Sequence, residues 1–466
     1  MSIERRDLFK LAGVTAAVTI VPTLTGCATS SASATPAKMI KKASGKSVVI
    51  IGGGWGGLTM AKELRKQDKN IEVTVIEKKD TFMSCPISSL YLGGLKSVTL
   101  ARLSYDFYQP SQKHGYGFIQ AEVTNIDRAS KTITTTKGAV AYDILVLSPG
   151  IAYDYEKQFP TWSKAKISKV AQSCPAALMP GSEHLALKRQ LENMDDGDVI
   201  IVPPASGKFR CPPAPYERTA MVANYMKSEG IKGKVIVLDT RGGKFAKAKA
   251  FKESWKDTFA DYIDYKGFTQ VLDVDTAKKE ITYLEYPDAS TFEEGDPDEA
   301  KKVVKKYEVC NLIPINKCSP VIKMAGIKTN KIGYASMDGY SFRSASDKNV
   351  YVIGDAVGHA IPPSGQTAIW GSKRAAGQIV AQINGKKNNP VEGLPAKAAN
   401  VCYSMVNGSP EEAIMVSHTF SADKSGVLKG KGHVPKPKDG NGKFRSKGVG
   451  KALHEWFDGS MRELFS

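Results

Sequence analysis

Residues 47–57 read Ser-Val-Val-Ile-Ile-Gly-Gly-Gly-Trp-Gly-Gly, and this stretch restricts the fold more than any other in the chain. Val48 to Ile51 are four apolar β-branched residues, the composition of a buried strand. A Gly-x-Gly-x-x-Gly turn follows (Gly52, Gly54, Gly57), and Leu58 to Arg65 has helical character. In such a turn the first glycine permits the tight bend and the second lets backbone approach a pyrophosphate. The third lets helix pack on strand. The N–H groups that open the helix then face phosphate oxygens. A second strand, Glu72 to Ile76, ends at Glu77, about 20 residues after the last glycine, where a carboxylate can hold ribose hydroxyls. Strand, turn, helix, strand and terminal acid in that order predict an ADP-binding βαβ unit.

Two later segments extend this unit into a domain. Ala139 to Gly150 (AVAYDILVLSPG) predicts a strand, alternating and then solidly apolar, after which the chain leaves for a second domain. Asn349 to Asp355 (NVYVIGD) predicts a buried strand closing on Gly354 and Asp355. A Gly-Asp pair alone reads as a plain turn. Beside the N-terminal unit it resembles the strand that, in flavoproteins of the glutathione-reductase class, brings an Asp to FAD. The expected architecture is α/β, with two Rossmann-like domains of the glutathione-reductase type and a small C-terminal flavin-binding domain. Its FAD domain is discontinuous (47–155 and 331–390), the inserted domain covers 156–330, and the C-terminal domain covers 391–466. In the inserted domain the first strand, Asp198 to Val202, runs into Pro203-Pro204-Ala205-Ser206, where pyridine-nucleotide enzymes carry a second glycine turn. Proline has no N–H to give a phosphate and fixes φ. The reading is a Rossmann shape without a nucleotide cradle and no NAD(P)H.

The chain opens with Arg5-Arg6-Asp7-Leu8-Phe9-Lys10 and an uncharged run from Leu11 to Gly26. Twin arginines before a modest apolar stretch predict export of a folded protein to the periplasm. The run is shorter than the roughly 20 residues of a membrane span. Leu24-Thr25-Gly26-Cys27 resembles a lipoprotein box in which Cys27 is lipidated; ordinary cleavage after Ala32-Ser33-Ala34 is the alternative. Residues 1–27 are thus the signal, and 28–46 a Ser/Ala/Thr/Lys-rich tether. Net charge is +18, which favours an acidic partner, an anionic substrate or an anionic membrane face. The dispersed lysines and lack of a recognition motif argue against nucleic acid. Seven cysteines (Cys27, Cys85, Cys174, Cys211, Cys310, Cys318, Cys402) are irregularly spaced, which fits neither a disulfide scaffold nor a metal site.

The most specific residues run from Phe209 to Arg218 (FRCPPAPYER). With TFMSCPISSLYLGG (81–94), NLIP (311–314), VIGDAVGHAIPPSGQTA (352–368) and VCYSMV (401–406), they resemble the flavoprotein subunit of flavocytochrome c sulfide dehydrogenase. The resemblance implies FAD with its pyrophosphate on Gly52, Gly54 and Gly57 and its ribose near Glu77. Gly354, Asp355 and Gln366 would also bind the cofactor. It further implies a thioether from Cys85 to the flavin, for which a plain buried thiol is the alternative. Electrons would pass to a separate c-type cytochrome, since the chain has no Cys-x-x-Cys-His haem site.

Cys211 matches the first of two cysteines that form the family's redox disulfide, which sulfide attacks to give a persulfide. The second is missing: in Gly333-Tyr334-Ala335-Ser336-Met337-Asp338 its place is held by Ala335. Three readings stay open. Cys310 or Cys318, flanking NLIP, reaches Cys211, with Cys318 taken as the candidate partner. Alternatively, Cys211 works alone as a persulfide carrier, or the chain is a sulfur-binding or electron-transferring flavoprotein that has lost catalysis. Glu217 is a candidate proton acceptor, with pairing to Arg210 or Arg218 as its structural alternative. His359 reads as a surface imidazole, and the lysine-rich stretches 241–256 and 428–448 as solvated faces. The C-terminal helix carries Leu453, Trp456, Phe457, Met461 and Leu464 at helical spacing. It predicts a helix packed over the flavin domain or a partner, with membrane contact of the sulfide:quinone reductase kind as the rival.

Overall fold

The apolar run Val48–Ile51 becomes an interior strand of a mostly parallel sheet. The computed structural model describes residues 37–339, 341–386, 398–422 and 428–466. The twin arginines, the lipoprotein box with Cys27 and the cleavage alternative lie outside the described residues. Strand β1 (Ser47–Ile51) is buried along its whole length. The glycine turn leads into α1 (Trp55–Gln67), and β2 (Glu72–Glu77) pairs parallel to β1 with Ile76 opposite Ile51. Strand β3 (Gly117–Gln120) adds beyond β2, and β4 (Ile144–Leu147) pairs with the other edge of β1.

Two boundaries differ from expectation. The strand expected over 139–150 is divided: Gly138–Ala141 joins a separate four-stranded sheet, and β4 begins after Asp143. The Asp143 carboxylate accepts the Ser47 N–H at 2.8 Å, so this polar residue anchors the start of β1 instead of continuing a strand. The segment read as a tether (28–46) holds a strand before its end, because Met39–Lys41 pairs in parallel with Gly138–Ala141.

After β4 the chain forms β5 (Ile151–Tyr153) and enters the inserted domain. There β6 (Val199–Val202) leads to α2 (Ala214–Glu229), β7 (Val235–Leu238), β8 (Ile263–Lys266) and β9 (Val309–Leu312). The sheet order is β8-β7-β6-β9, all parallel. The return is made by β10 (Asn316–Cys318), antiparallel to β5. Then β11 (Asp347–Val352) pairs with β4, Val350 opposite Leu145, and closes the discontinuous domain. Helix α3 (Gly365–Ile383) packs along α1.

The C-terminal region is an antiparallel sheet of β12 (Ala398–Gly408), β13 (Glu411–Ala422) and β14 (Leu428–His433), covered by α4 (Lys447–Phe465). Val449, Leu453, Phe457, Met461 and Leu464 form one buried stripe on α4, at the spacing that keeps a helix face toward a core. Trp456 stacks on Trp55 of α1, rings 3° from parallel and 5.8 Å apart, and Arg102 pairs with Asp458 at 2.8 Å. The apolar stripe is thus spent on the fold. Among the described residues no helix is long and apolar enough to cross a membrane.

The glycine turn makes two separable demands. A Cβ on Gly57 would stand 1.9 Å from the Gly52 carbonyl oxygen, whereas one on Gly54 meets nothing within 4 Å. Gly57→Ala is therefore expected to lower unfolding stability by about 1–3 kcal/mol, and Gly54→Ala to leave it within about 1 kcal/mol. Urea unfolding of the two variants checks this; equal destabilisation would contradict it.

Candidate functional site

A cavity of about 540 Å³ lies at the C-terminal ends of β1 and β4, where ligands collect in open α/β sheets. The starts of α2 and α3, one edge of β12 and Leu453 and Trp456 of α4 complete its walls. Gly52, Gly54, Glu77, Cys85, Cys211, Glu217, Gly354, Asp355 and Gln366, all marked by the sequence, line it. Gly57 lies behind, at the contact between turn and helix. The structure does not bring Cys318 to the wall: it is buried in β10 opposite Ile151.

The walls fit a dinucleotide. Gly52 has φ +105°, and a Cβ there would lie 2.3 Å from the Ser148 oxygen. Gly54, open on the cavity side, leaves backbone accessible to a pyrophosphate. Glu77 is oriented by the N–H groups of Gly53 (2.8 Å) and Lys79 (3.0 Å). Trp55 also lines the cavity, and its buried Nε1 has no acceptor among the described residues. It is a donor for a group that FAD would supply. A bound flavin would place a two-electron acceptor in this space.

Charge around Cys211 is organised by two buried arginines. Arg210 donates from Nε to the Asp355 carboxylate and from Nη1 to Leu178 O at 2.9 Å. Burial opposes its charge, but Asp355 outweighs burial and holds the guanidinium firmly protonated. The Cys85 thiol donates to the same Leu178 O at 3.4 Å. Arg218, 1% exposed, donates to Ala176 O (2.9 Å), Ala177 O (2.7 Å) and Asn311 Oδ1 (2.8 Å). Neither arginine hydrogen-bonds Glu217, so the pairing considered from sequence is not what holds it. Glu217 accepts the Met405 N–H of β12 at 2.8 Å, and burial pushes its carboxyl up to about 7. Burial likewise raises the thiols of Cys211, Cys85 and Cys402. Cys211 sits at φ +49°, a left-handed conformation uncommon outside glycine, with its N–H on Pro363 O at 2.9 Å.

Several expectations are corrected. Cys310 faces Cys174 and Tyr307 inside the inserted domain; both cysteines are buried in that domain's core. His359 is no surface imidazole: it is 4% exposed, its Nε2 lies 3.0 Å from Ser341 O, and burial lowers it to about 4. Ala335 is fully buried, with its N–H on Ala356 O. In the stretch 241–256, Lys244, Lys249, Lys252 and Lys256 are exposed as expected. Lys247 is buried instead, and its Nζ donates to Ser404 Oγ at 2.7 Å and lies 3.9 Å from Cys402 Sγ. Cys402 lines the cavity and was missed as a site residue, although it stands in the VCYSMV segment. Arg210 was considered only as a partner for Glu217. Nothing local in the sequence distinguishes Lys247 from its exposed neighbours.

The raised Glu217 carboxyl carries a stability signature. Its folded pKa exceeds the unfolded value of about 4.3, so the folded state binds the proton more tightly. That contribution is complete below the unfolded pKa and is lost as pH rises through about 7. Relative to Glu217→Gln, the unaltered protein is expected to lose on the order of 3 kcal/mol between about pH 4.5 and pH 8. Urea unfolding across that range measures the difference; parallel profiles would contradict it.

Comparison with known proteins adds the following likenesses. Residues 184–291 match the central-region model of the sulfide dehydrogenase (flavocytochrome c) flavoprotein chain, and residues 46–170 match pyridine nucleotide-disulphide oxidoreductase. A sulfide dehydrogenase flavoprotein chain of Chlorobaculum thiosulfatiphilum is 52% identical over 44 residues, 9% of this chain and 92% of that sequence. The mitochondrial sulfide:quinone oxidoreductase of Mus musculus is 22% identical over 66% of this chain; the match spans 65% of the mouse protein's own length. The sulfide:quinone oxidoreductase structure from Aquifex aeolicus superposes with a TM-score of 0.65 at 19% identity, covering 90% of this chain and 91% of that one, which shows the shared fold. The chain thus has the fold of the FAD-dependent disulfide oxidoreductases, with one stretch similar to the pyridine nucleotide-disulphide oxidoreductases and another similar to the sulfide dehydrogenase flavoprotein chain.

Proposed function

We propose that this protein is an FAD-dependent sulfide dehydrogenase that oxidises sulfide, or a related reduced-sulfur anion, at Cys211. The observation that carries the reading is the convergence of Cys211, Glu217 and Arg210 on the cavity that also holds the glycine turn. Hydrosulfide is a small anion, and Arg210 and Arg218 give the wall beside Cys211 a positive character. Glu217, poised near neutral pH by burial, is a proton acceptor for a sulfur species arriving there. Cys85, on the same wall, is the residue for a flavin thioether. Under this reading the chain is exported by the twin-arginine route to the periplasm and anchored, if at all, through Cys27.

The electron acceptor in this reading is a separate c-type cytochrome. Two features support it: the net charge of +18, suited to an acidic partner, and the packing of the apolar stripe of α4 into the fold. A quinone is the second reading, favoured by the similarity to the sulfide:quinone oxidoreductase of Mus musculus. NAD(P)H is not the donor in either. At the end of β7, Asp239 is fully buried and taken up by Tyr216 (2.7 Å), Tyr265 (3.1 Å) and Arg241 (2.9 Å). The loop after β6 is tied down through Pro204 O and Ala205 O, which accept from Arg241 and Thr240, and neither Pro203 nor Pro204 has an N–H to offer a phosphate.

Anaerobic sulfide titration is expected to bleach the flavin of the loaded protein, whereas NADH leaves it oxidised. Cys211→Ser should slow bleaching at least ~100-fold. No bleaching of the unaltered protein would sink the sulfide reading. Reoxidation by a c-type cytochrome in preference to a soluble quinone analogue supports the first acceptor; the opposite preference selects the second. For the thioether, acid precipitation is expected to leave flavin with the unaltered protein and release it from Cys85→Ser. Release from both would exclude the covalent bond.

A further inference from the structure

With Ala335 in place of a cysteine, Cys211 needs another thiol if it is to cycle through a disulfide. The structure accounts for most candidates elsewhere. Cys174 and Cys310 face one another inside the inserted domain, and Cys318, buried in β10, is not among the residues that line the cavity. Two cysteines, Cys85 and Cys402, share the cavity with Cys211, and a lysine ammonium lies 3.9 Å from the sulfur of Cys402.

Of the two, Cys402 is the stronger candidate. The segment 363–366 holds both neighbourhoods: Pro363 O accepts the Cys211 N–H at 2.9 Å, and Gln366 Oε1 accepts the Val401 N–H at 3.1 Å. Helix α2, which starts three residues after Cys211, is laced to β12 at Glu217–Met405 (2.8 Å) and Asn224–Gly408 (3.1 Å). Both cysteines therefore sit at the same corner of the cavity wall. Lys247 reaches this corner from the inserted domain. Its ammonium is buried, donates to Ser404 Oγ (2.7 Å) and Cys402 O (3.3 Å), and lies 3.9 Å from Cys402 Sγ. Among the described residues no carboxylate is within ion-pair distance of it. Glu217 acts on both Lys247 and Cys402 from α2, but burial raises its own proton affinity, so it only partly offsets the lysine charge; a thiolate at Cys402 would supply a closer anion. Arg210 and Arg218 act on Cys85, but their guanidiniums are taken up by Asp355, Asn311 and backbone carbonyls, and the Cys85 sulfur bonds Leu178 O.

We infer that Cys211 and Cys402 form the redox-active dithiol/disulfide pair of this chain, with Lys247 as the charge partner of Cys402. This rests on the reading that the cavity oxidises sulfide. Closing the pair breaks two S–H bonds and forms one S–S bond. Two protons and two electrons leave, the electrons to a two-electron oxidant of the class that oxidised flavin represents. Hydrosulfide then attacks Cys211 Sγ. The Cys211–Cys402 bond breaks, a Cys211 persulfide forms with the hydrosulfide proton, and Cys402 departs as the thiolate. Charge is conserved: the anion brought by hydrosulfide ends on Cys402, beside Lys247. The direction follows from Lys247, since the better-stabilised thiolate is the better leaving group. A closed disulfide carries no charge, which suits a wall where burial disfavours both thiolates.

The test is a disulfide map of the flavin-loaded protein. After treatment with diamide, free thiols are blocked with N-ethylmaleimide, and the non-reduced tryptic digest is read by mass spectrometry. The expected result is a peptide pair joining Cys211 to Cys402, lost on reduction, retained in Cys318→Ala and absent from Cys402→Ser. Cys211 fully alkylated in the unaltered protein, or joined to Cys85, overturns the pairing. For Lys247, the pH profile of Cys402 alkylation in the reduced protein is expected to move to higher pH in Lys247→Met and to be restored in Lys247→Arg. An unmoved profile overturns its role. Linkage without flavin bleaching by sulfide would leave the pair standing and remove the proposed substrate. Bleaching without linkage would do the reverse.

Discussion

The ion pair between Arg210 and Asp355 is the contact on which the cavity depends. Arg210 belongs to the inserted domain and stands one residue before Cys211; Asp355 follows β11 in the returning half of the first domain. Their side chains are only 16% and 11% exposed, so each loses most of its hydration. Such a pair repays desolvation only with both partners in place. The guanidinium also reaches Leu178 O, which draws a third, separate stretch of chain into the arrangement. Loss of either charge would leave the other stranded and uncouple the two domains where Cys211 sits.

Arg218 does related work one layer deeper. It lies on α2 directly after Glu217, and its guanidinium collects Ala176 O, Ala177 O and Asn311 Oδ1. These acceptors come from the segment leading into the inserted domain and from β9. The helix is thereby fixed from behind while its front carries Glu217 toward the cavity and Met405. The polar groups form two sets: one braces the backbone, and the other is left with raised proton affinity at the wall.

Local order made part of this legible. The glycine turn, Glu77 and the Gly354–Asp355 strand end are each set by a few adjacent residues, and the structure places Gly52, Gly54, Glu77, Gly354 and Asp355 on one cavity. The break before β4 was not legible, because Asp143 stops a strand only through the Ser47 N–H nearly a hundred residues away. Lys247 and His359 misled for the same reason: burial is conferred by partners such as Ser404 and Ser341, which spacing along the chain does not announce. Proximity to NLIP drew attention to Cys310 and Cys318. Strand pairing sends the first into a parallel sheet and the second opposite Ile151, while Cys402, far downstream, comes to the wall beside α2.

The cluster around Asp239 bears on how such a domain can change over evolutionary time. Replacing Pro203 and Pro204 with glycines would restore flexibility to the loop after β6. It would not free the carboxylate, which stays clamped by Tyr216, Tyr265 and Arg241, nor the Phe245 ring stacked 3.7 Å above Tyr216. Opening this strand end to a dinucleotide would require several simultaneous substitutions in a packed aromatic group. The shape of the inserted domain serves as scaffolding for Arg210, Cys211 and Glu217, and its packed core resists turning this strand end to another use.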